Sequence, residues 1–126
     1  MNWRQWAFTK LQSTTSFPVL AGGSIVGPLE DLPAIVYRIQ AVTPRLRDDD
    51  VAIAEDRILE VWAYDSVGSY DRIDSTLSIL RVALVGPVEE AGGVCCRWIG
   101  DSAEFADEGL KAITRNSSFQ LIGATS

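Results

Sequence analysis

Residues 58–84, with the sequence ILEVWAYDSVGSYDRIDSTLSILRVAL, contain the two patterns that decide the fold of this chain. The first part, 58–64, is apolar on both faces and predicts a central strand, covered on one side and partly on the other. The second part predicts an amphipathic helix over 69–85, and Gly86 and Pro87 end it. The helix is inferred from one stripe of apolar residues at helical spacing, namely Tyr70, Ile73, Leu77, Leu80 and Leu84, with Ile79 and Val82 beside it.

Weaker patterns predict the other elements around this strand and helix. Apolar residues at offsets of three and four predict a short amphipathic helix over 2–13. Runs of β-branched and aromatic residues predict strands, and Thr43-Pro44 ends the first of them. These strands cover 34–42, 51–64, 94–99 and 110–122, with a bulge or bend in the last at 116–118.

The resulting order, α-β-β-α-β-β, predicts an α+β fold. We expect a mainly antiparallel four-stranded sheet with two helices packed on it. The chain of 126 residues has the usual size of one domain, so we expect a single domain over 1–126.

Composition narrows the classes of function. The net charge of −6 repels polyphosphate, so tight nucleic-acid binding is not expected, whereas passive contact with DNA remains open. The absence of histidine removes the commonest general base and metal ligand. No apolar stretch is long enough to span a membrane and no signal-peptide pattern occurs, so we expect a soluble, intracellular protein.

The two cysteines, Cys95 and Cys96, are adjacent in the sequence. Neighbouring side chains of a strand point to opposite faces, which disfavours a disulfide between them. Buried, reduced thiols fit best, and they indicate folding in a reducing cytoplasm.

Two groups of acidic residues are the only candidates for a metal site. The run Asp48-Asp49-Asp50 lacks the alternating spacing and the glycine of a calcium loop. A solvated surface is therefore the better interpretation, and the same holds for the second group, which contains Asp101, Glu104, Asp107 and Glu108. No phosphate loop and no nucleophile motif is present. We therefore assign no metal, cofactor or catalytic residue, and expect that the chain is not an enzyme.

Two stretches are candidates for contact with other subunits. The tryptophans of the first predicted helix could be either interface anchors or core residues, and the sequence leaves both interpretations open. The irregular segment 17–32 is long for a compact domain, and such loops often order against a partner. The interface candidates are Trp3, Trp6, Phe17, Leu20, Ile25 and Val26.

The order of these features resembles the tail terminator (tail completion, minor tail) proteins of long-tailed bacteriophages. The resemblance rests on an amphipathic helix over 3–11, a strand at 33–37 next to a proline, and an aromatic-aspartate turn closing the strand at 60–65. It also rests on the acidic start of the helix at 70–77 and on a strand with small, polar and aromatic residues at 117–121. The apolar-proline-tyrosine stretch that is frequent in this family is replaced by leucine, proline, alanine and isoleucine at 32–35.

The resemblance implies a structural protein of the virion tail and neck, assembled in the host cytoplasm. About six copies would form a ring that caps the tail tube, ends its polymerisation and joins it to the head connector. The implied partners are the major tail tube protein and the head-side connector or stopper, with DNA passing through the ring and no membrane involved. The candidates for lining the channel are Asp48, Asp49, Asp50, Asp101, Glu104, Asp107 and Glu108.

Two alternatives remain. A head–tail connector or stopper subunit of the phage neck would share most of these features and differ in the neighbours that it binds. A small enzyme belongs to another class, and a bound metal or ligand in the purified protein would favour it.

Overall fold

A computed structural model of the chain describes residues 3–21, 33–46, 52–66, 68, 70–88, 95–107 and 112–124. Each of the two helices is followed by several strands. The elements are α1 (Trp3–Thr14), β1 (Val19–Ala21), β2 (Ala34–Leu46), β3 (Ala52–Asp65), α2 (Asp71–Leu84), β4 (Gly86–Pro87), β5 (Cys95–Asp101), β6 (Phe105–Asp107) and β7 (Ala112–Ala124).

The strands form one mixed sheet. Six of the described strands lie side by side in the order β1-β2-β3-β7-β5-β4, and β6 pairs with β7. Among the described strands, only β1 and β2 are parallel to each other, with Val19 opposite Ile35. Because β3 occupies one edge of β7 along most of its length, β5 and β6 lie one after the other along the second edge.

The prediction of a four-stranded, mainly antiparallel sheet in the order α-β-β-α-β-β is therefore wrong. The strands β1, β4 and β6 are two or three residues long, which is too short for any periodicity in the sequence. Each of them exists because a longer neighbour offers its backbone for pairing. The parallel β1 also makes the sheet mixed, which the sequence pattern did not indicate.

The longest pairing joins β2 and β3, from Ala34 opposite Tyr64 to Leu46 opposite Ala52. The predicted end of β2 at Thr43-Pro44 is wrong, since the strand continues to Leu46. The register shifts between Ala41 and Pro44, so the proline sits at an irregularity of the ladder. Proline donates no hydrogen bond, and such irregular positions accommodate it in a strand.

The bulge predicted in β7 at 116–118 is also wrong. From Arg57–Leu121 to Asp65–Ile113, β3 and β7 pair without a shift. The irregularity lies in β5, where Trp98 is opposite Phe119 but Gly100 is opposite Ser118. An extra residue, Ile99, is thus inserted into β5, because β7 is held in register from both sides whereas β5 has a short neighbour.

The main core lies between α1, α2 and one face of the sheet. Side chains alternate along a strand, so every second residue of the long strands points to the helices. The buried members of this core include Trp3, Trp6, Leu11, Ile35, Leu59, Val61, Ile73, Leu77, Leu80, Leu84, Phe119 and Leu121. The apolar stripe predicted for α2 is confirmed at Ile73, Leu77, Leu80 and Leu84, all at most 2% exposed.

The opposite face of the sheet, which we call the outer face, carries a smaller apolar cluster. Val36, Tyr64 and Ala112 are buried there, and Leu20 and Trp62 pack against them. Further along β2 the outer face is polar, because Arg38 and Gln40 both bond to Glu60. The guanidinium of Arg38 also lies 5.5 Å from the centre of the Trp62 ring.

An ion pair joins the end of β3 to the start of α2. Asp65 is 4% exposed and accepts hydrogen bonds from Arg72 Nε at 2.6 Å and Nη2 at 2.5 Å. This two-pronged geometry is the strong form of an arginine–carboxylate contact. The side-chain bond from Arg72 holds the pKa of Asp65 below its usual value, against the opposing effect of burial. Asp65 therefore links the end of β3 to the first turn of α2.

Replacing Asp65 with asparagine is expected to lower the melting temperature at pH 7, because the substitution removes the charge that Arg72 binds. A carboxylate with a lowered pKa stabilises the fold above its unfolded pKa, and this contribution is lost as the pH falls through the folded pKa. The variant should therefore lose less stability between pH 7 and pH 3 than the wild type does. Arg72→Lys keeps the positive charge but not the two-pronged hydrogen bond. Its melting temperature at pH 7 should therefore lie between those of the wild type and the Asp65→Asn variant. Equal melting temperatures at pH 7 would contradict this role.

Candidate functional site

The outward side of α2 carries large apolar side chains. Ile79 is 55% exposed, Val82 is 82% exposed, and Val85, just after the helix, is 46% exposed. A shallow groove of about 480 Å³ is lined by Thr14, Ser78, Ile79, Val82 and Ala83. Exposed apolar groups that lie together are typical of a surface that another molecule covers.

Strand β5 adds two more exposed apolar residues on the neighbouring part of the domain. Trp98 is 37% exposed and Ile99, the inserted residue of the bulge, is 50% exposed. Arg81 connects the two elements, since its guanidinium lies 4.1 Å from the centre of the Trp98 ring. Five of the six large apolar side chains that the described residues expose lie on α2, directly after it or on β5, and the sixth is Phe8 on α1. We call Ile79, Val82, Val85, Trp98 and Ile99 the apolar end surface.

A polar contact beneath this surface holds Trp98 in place. The indole Nε1 donates to Asp101 Oδ1 at 3.0 Å, and the Ser117 hydroxyl donates to the same oxygen. Arg81 Nη2 contacts the other oxygen of Asp101 at 3.4 Å. The orientation of the Trp98 ring is therefore set before any partner arrives, which lowers the entropy cost of binding through it.

A second ion pair ties α2 to β7 beside this contact. Arg115 Nη1 bonds to Asp74 Oδ1 at 2.8 Å, and Arg115 Nε donates to the carbonyl oxygen of Ser102 at 2.9 Å. The bond from Asp74 raises the pKa of Arg115, and the charges of Asp101 and Glu104 add to the effect. The acidic groups here are thus balanced by arginines. Among the described residues, no group of three or more acidic, cysteine or histidine side chains is arranged to hold a metal ion.

The tryptophans proposed as interface anchors lie in the core of the chain. Trp3 is 1% exposed and Trp6 is 2% exposed, and their rings meet edge to face with centroids 5.4 Å apart. Neither indole N–H has an acceptor among the described residues. In this conformation neither side chain offers surface to another subunit.

The other interface candidates have different positions. Phe17 is half-buried against the main core, and the Arg72 guanidinium lies 6.0 Å from its ring centre. Leu20 packs against the cluster on the outer face. Ile25 and Val26 lie outside the described residues.

The acidic residues proposed to line a channel are described only in part. The side chain of Asp101 is 13% exposed and already bound, whereas Glu104 is exposed. Asp107 belongs to β6, and its side chain is not among those described. Glu108 and the run Asp48, Asp49 and Asp50 lie outside the described residues.

The sequence of α2 carries a signal for part of the apolar end surface. Ile79 and Val82 stand beside the buried stripe of α2, so the helix is more apolar than one core-facing stripe requires. No comparable signal marks Trp98 and Ile99. Their exposure follows from the bulge and from the position of β5 near one end of the sheet.

The two cysteines differ in accessibility, and both are free thiols. Cys95 is half-buried, whereas Cys96 is 2% exposed and packs in the main core. Burial, and to a smaller extent the neighbouring Cys95, raises the pKa of the Cys96 thiol to about 12. Only the thiolate is strongly nucleophilic, so Cys96 is inert at ordinary pH.

Iodoacetamide at pH 8 is therefore expected to add one group to the folded protein, at Cys95, and two groups to the unfolded protein. Mass spectrometry of the intact chain and of its peptides measures both. The Cys95→Ser variant serves as the control and should remain unlabelled while folded. Labelling of Cys96 in the folded protein at the rate of Cys95 would contradict the packing described.

No helix of the described residues is long and apolar enough to cross a membrane. Comparison of the sequence with protein-family models gives no match, and comparison with curated proteins also gives none.

Proposed function

We propose that this chain is a structural subunit that forms a ring at the end of a bacteriophage tail tube. In this role the ring ends tube polymerisation, joins the tube to the head connector and lets DNA pass. The order of sequence features, which resembles that of tail terminators, supports this class. The observation that carries the proposal is the apolar end surface, whose five large side chains are between 37% and 82% exposed on α2, directly after it and on β5.

The chemistry of this surface favours contact with protein over catalysis. Its large side chains are aliphatic or aromatic, and its one bound arginine and aspartate serve to orient Trp98. Burial of such groups contributes roughly 25 cal/mol per Å² of apolar surface, which is the main driving force of subunit association. In a head-to-tail contact, two different surfaces of neighbouring copies meet. Repetition of this contact gives a closed ring if the rotation from one copy to the next completes a full turn.

The proposal predicts the behaviour of the purified chain. Light scattering after gel filtration should give the mass of a closed oligomer, and electron microscopy should show rings with an open centre. Added to the major tail tube protein during polymerisation, the rings should stop tubes from lengthening and should be visible at one end. A chain that stays monomeric at high concentration and leaves tube length unchanged overturns the proposal. A ring that binds the head-side connector but never the tube would assign the chain to the stopper position instead.

A further inference from the structure

The middle of the outer face is polar across four neighbouring strands. Residues that lie directly opposite each other on paired strands point to the same face, so their side chains form rows across the sheet. Two rows cross β2, β3, β7 and β5 here, and their polar members are Arg38, Gln40, Glu60, Arg97, Ser118 and Gln120. We call these six residues the polar outer face. Ile58, which lies opposite both Gln40 and Gln120, is the one large apolar residue in the two rows.

The polar outer face has a charge opposite in sign to that of the whole chain. It contains two arginines and one glutamate, whereas the net charge of the chain is −6. The side chain of Arg38 is 54% exposed and Arg97 is also exposed, while the side chain of Glu60 is only 16% exposed. A polyanion complements such a surface, whereas a second copy of this acidic chain does not. The core of a protein–protein interface is also depleted of charged residues, so this face is poorly suited to a protein partner.

Both arginines are already bound to neighbouring side chains. Arg38 Nη2 donates to Glu60 Oε1 at 3.0 Å, and Arg97 Nη2 donates to Gln120 Oε1 at 2.5 Å. Gln40 donates to the same oxygen of Glu60. A phosphate group has to compete with these partners, so the net gain from each contact is small. Weak, sequence-independent contacts with phosphates attract DNA and still let it slide.

We propose that the polar outer face lines the channel of the ring and contacts the phosphate backbone of the passing DNA. This inference rests on the proposed function, which supplies the ring and the DNA. The position of the apolar end surface is compatible with it. Trp98 lies opposite Phe119 of the main core and therefore points to the helix side of the sheet, where α2 with Val82 also lies. A neighbouring copy that docks on that side leaves the outer face open to the channel.

Electron microscopy of labelled rings tests where the polar outer face lies. In a Cys95→Ser background, Gln40→Cys is reacted with a maleimide gold cluster, and averaged images should show the gold in the central opening. Gln40 is exposed, so its replacement changes only the surface of β2. Arg97→Cys, in the same row on β5, is labelled in parallel and should place the gold in the opening as well. Thr9→Cys on the exposed side of α1 is the matched control, and its gold should lie outside the opening.

Photo-cross-linking tests the contact with DNA. The Gln40→Cys ring is labelled with a benzophenone maleimide and irradiated with a short DNA duplex at low salt, whereas the labelled Thr9→Cys ring serves as the control. We expect a protein–DNA band with Gln40→Cys and none with Thr9→Cys. The band should weaken as salt is raised, because phosphate contacts are salt-dependent. Adding Arg97→Glu should reduce the band, while Arg4→Glu on α1, which changes the net charge equally, should leave it unchanged.

The outcomes separate the two proposals. Wild-type rings whose Gln40 and Arg97 labels lie outside the opening, or whose Gln40 label gives no band with DNA at low salt, overturn the channel wall and leave the proposed function standing. A label at Gln40 that cross-links to a neighbouring copy or to added tail tube protein instead of DNA assigns this face to a protein contact and also overturns the inference. A wild-type chain that forms no ring overturns both proposals.

Discussion

Replacing Val82 with lysine is expected to prevent the subunits from assembling while leaving the fold of each subunit intact. Val82 is 82% exposed, so its replacement removes little buried area from the monomer. Lysine also has a better helix propensity than valine and is favourable in the last turn of a helix. In a contact between subunits, however, it would bury an unpaired charge. Such a charge costs about 2–5 kcal/mol, or roughly 30-fold to several-thousand-fold in affinity between subunits.

Two measurements on the same sample check this expectation. Thermal unfolding should give a melting temperature equal to or slightly above that of the wild type, and light scattering should give the mass of a monomer. Thr9→Lys places the same charge on an exposed position of α1 and should keep the ring. A Val82→Lys protein that assembles as the wild type does would show that the apolar end surface is not an interface.

Replacing Trp6 with alanine is expected to destabilise the monomer itself by about 3–5 kcal/mol, since removal of a large buried aromatic side chain leaves a cavity. Trp6 is 2% exposed and packs edge to face against Trp3 within the main core. The stability of a whole domain is only about 5–15 kcal/mol, so this loss should lower the melting temperature by more than about 10 °C. Denaturant unfolding of the variant at a concentration where the wild type is monomeric measures the effect.

Trp6→Phe is the matched control for this substitution. Phenylalanine keeps an aromatic ring in the core and removes the indole N–H, which has no acceptor among the described residues. An unsatisfied buried donor is itself unfavourable, so this variant should lose much less stability than Trp6→Ala. If Trp6 were instead an interface anchor, Trp6→Ala would weaken assembly and leave the unfolding of the monomer unchanged.

The two helices and the long strands were predictable because their signals are local. Ile73, Leu77 and Leu80 repeat at helical spacing, and the helix that they specify is found at Asp71–Leu84. Residues 58–64 have the composition of a strand and form part of β3. The end of β2 was misplaced, because Pro44 alone does not reveal that the partner strand accommodates it in an irregular ladder.

The candidate site was less predictable, because exposure depends on what packs against a residue. The same apolar pattern in α1 fits an interface or a core, and only the packing of Trp3 against Trp6 inside the main core distinguishes the two. The structure leaves Val82 and Trp98 exposed, so they replace Trp3 and Trp6 as interface candidates. Ile25, Val26 and most of the acidic channel candidates lie outside the described residues, and those assignments stay predictions.

The sequence by itself determined the elements whose residues carry their own periodicity, namely α1, α2 and the long strands. Only the tertiary structure decided the order of the strands, the short β1, β4 and β6 and the apolar end surface. The physical reason is that periodicity is a property of consecutive residues. Pairing and burial depend on neighbours far away in the chain, and these neighbours are set only when the whole sheet closes over its core.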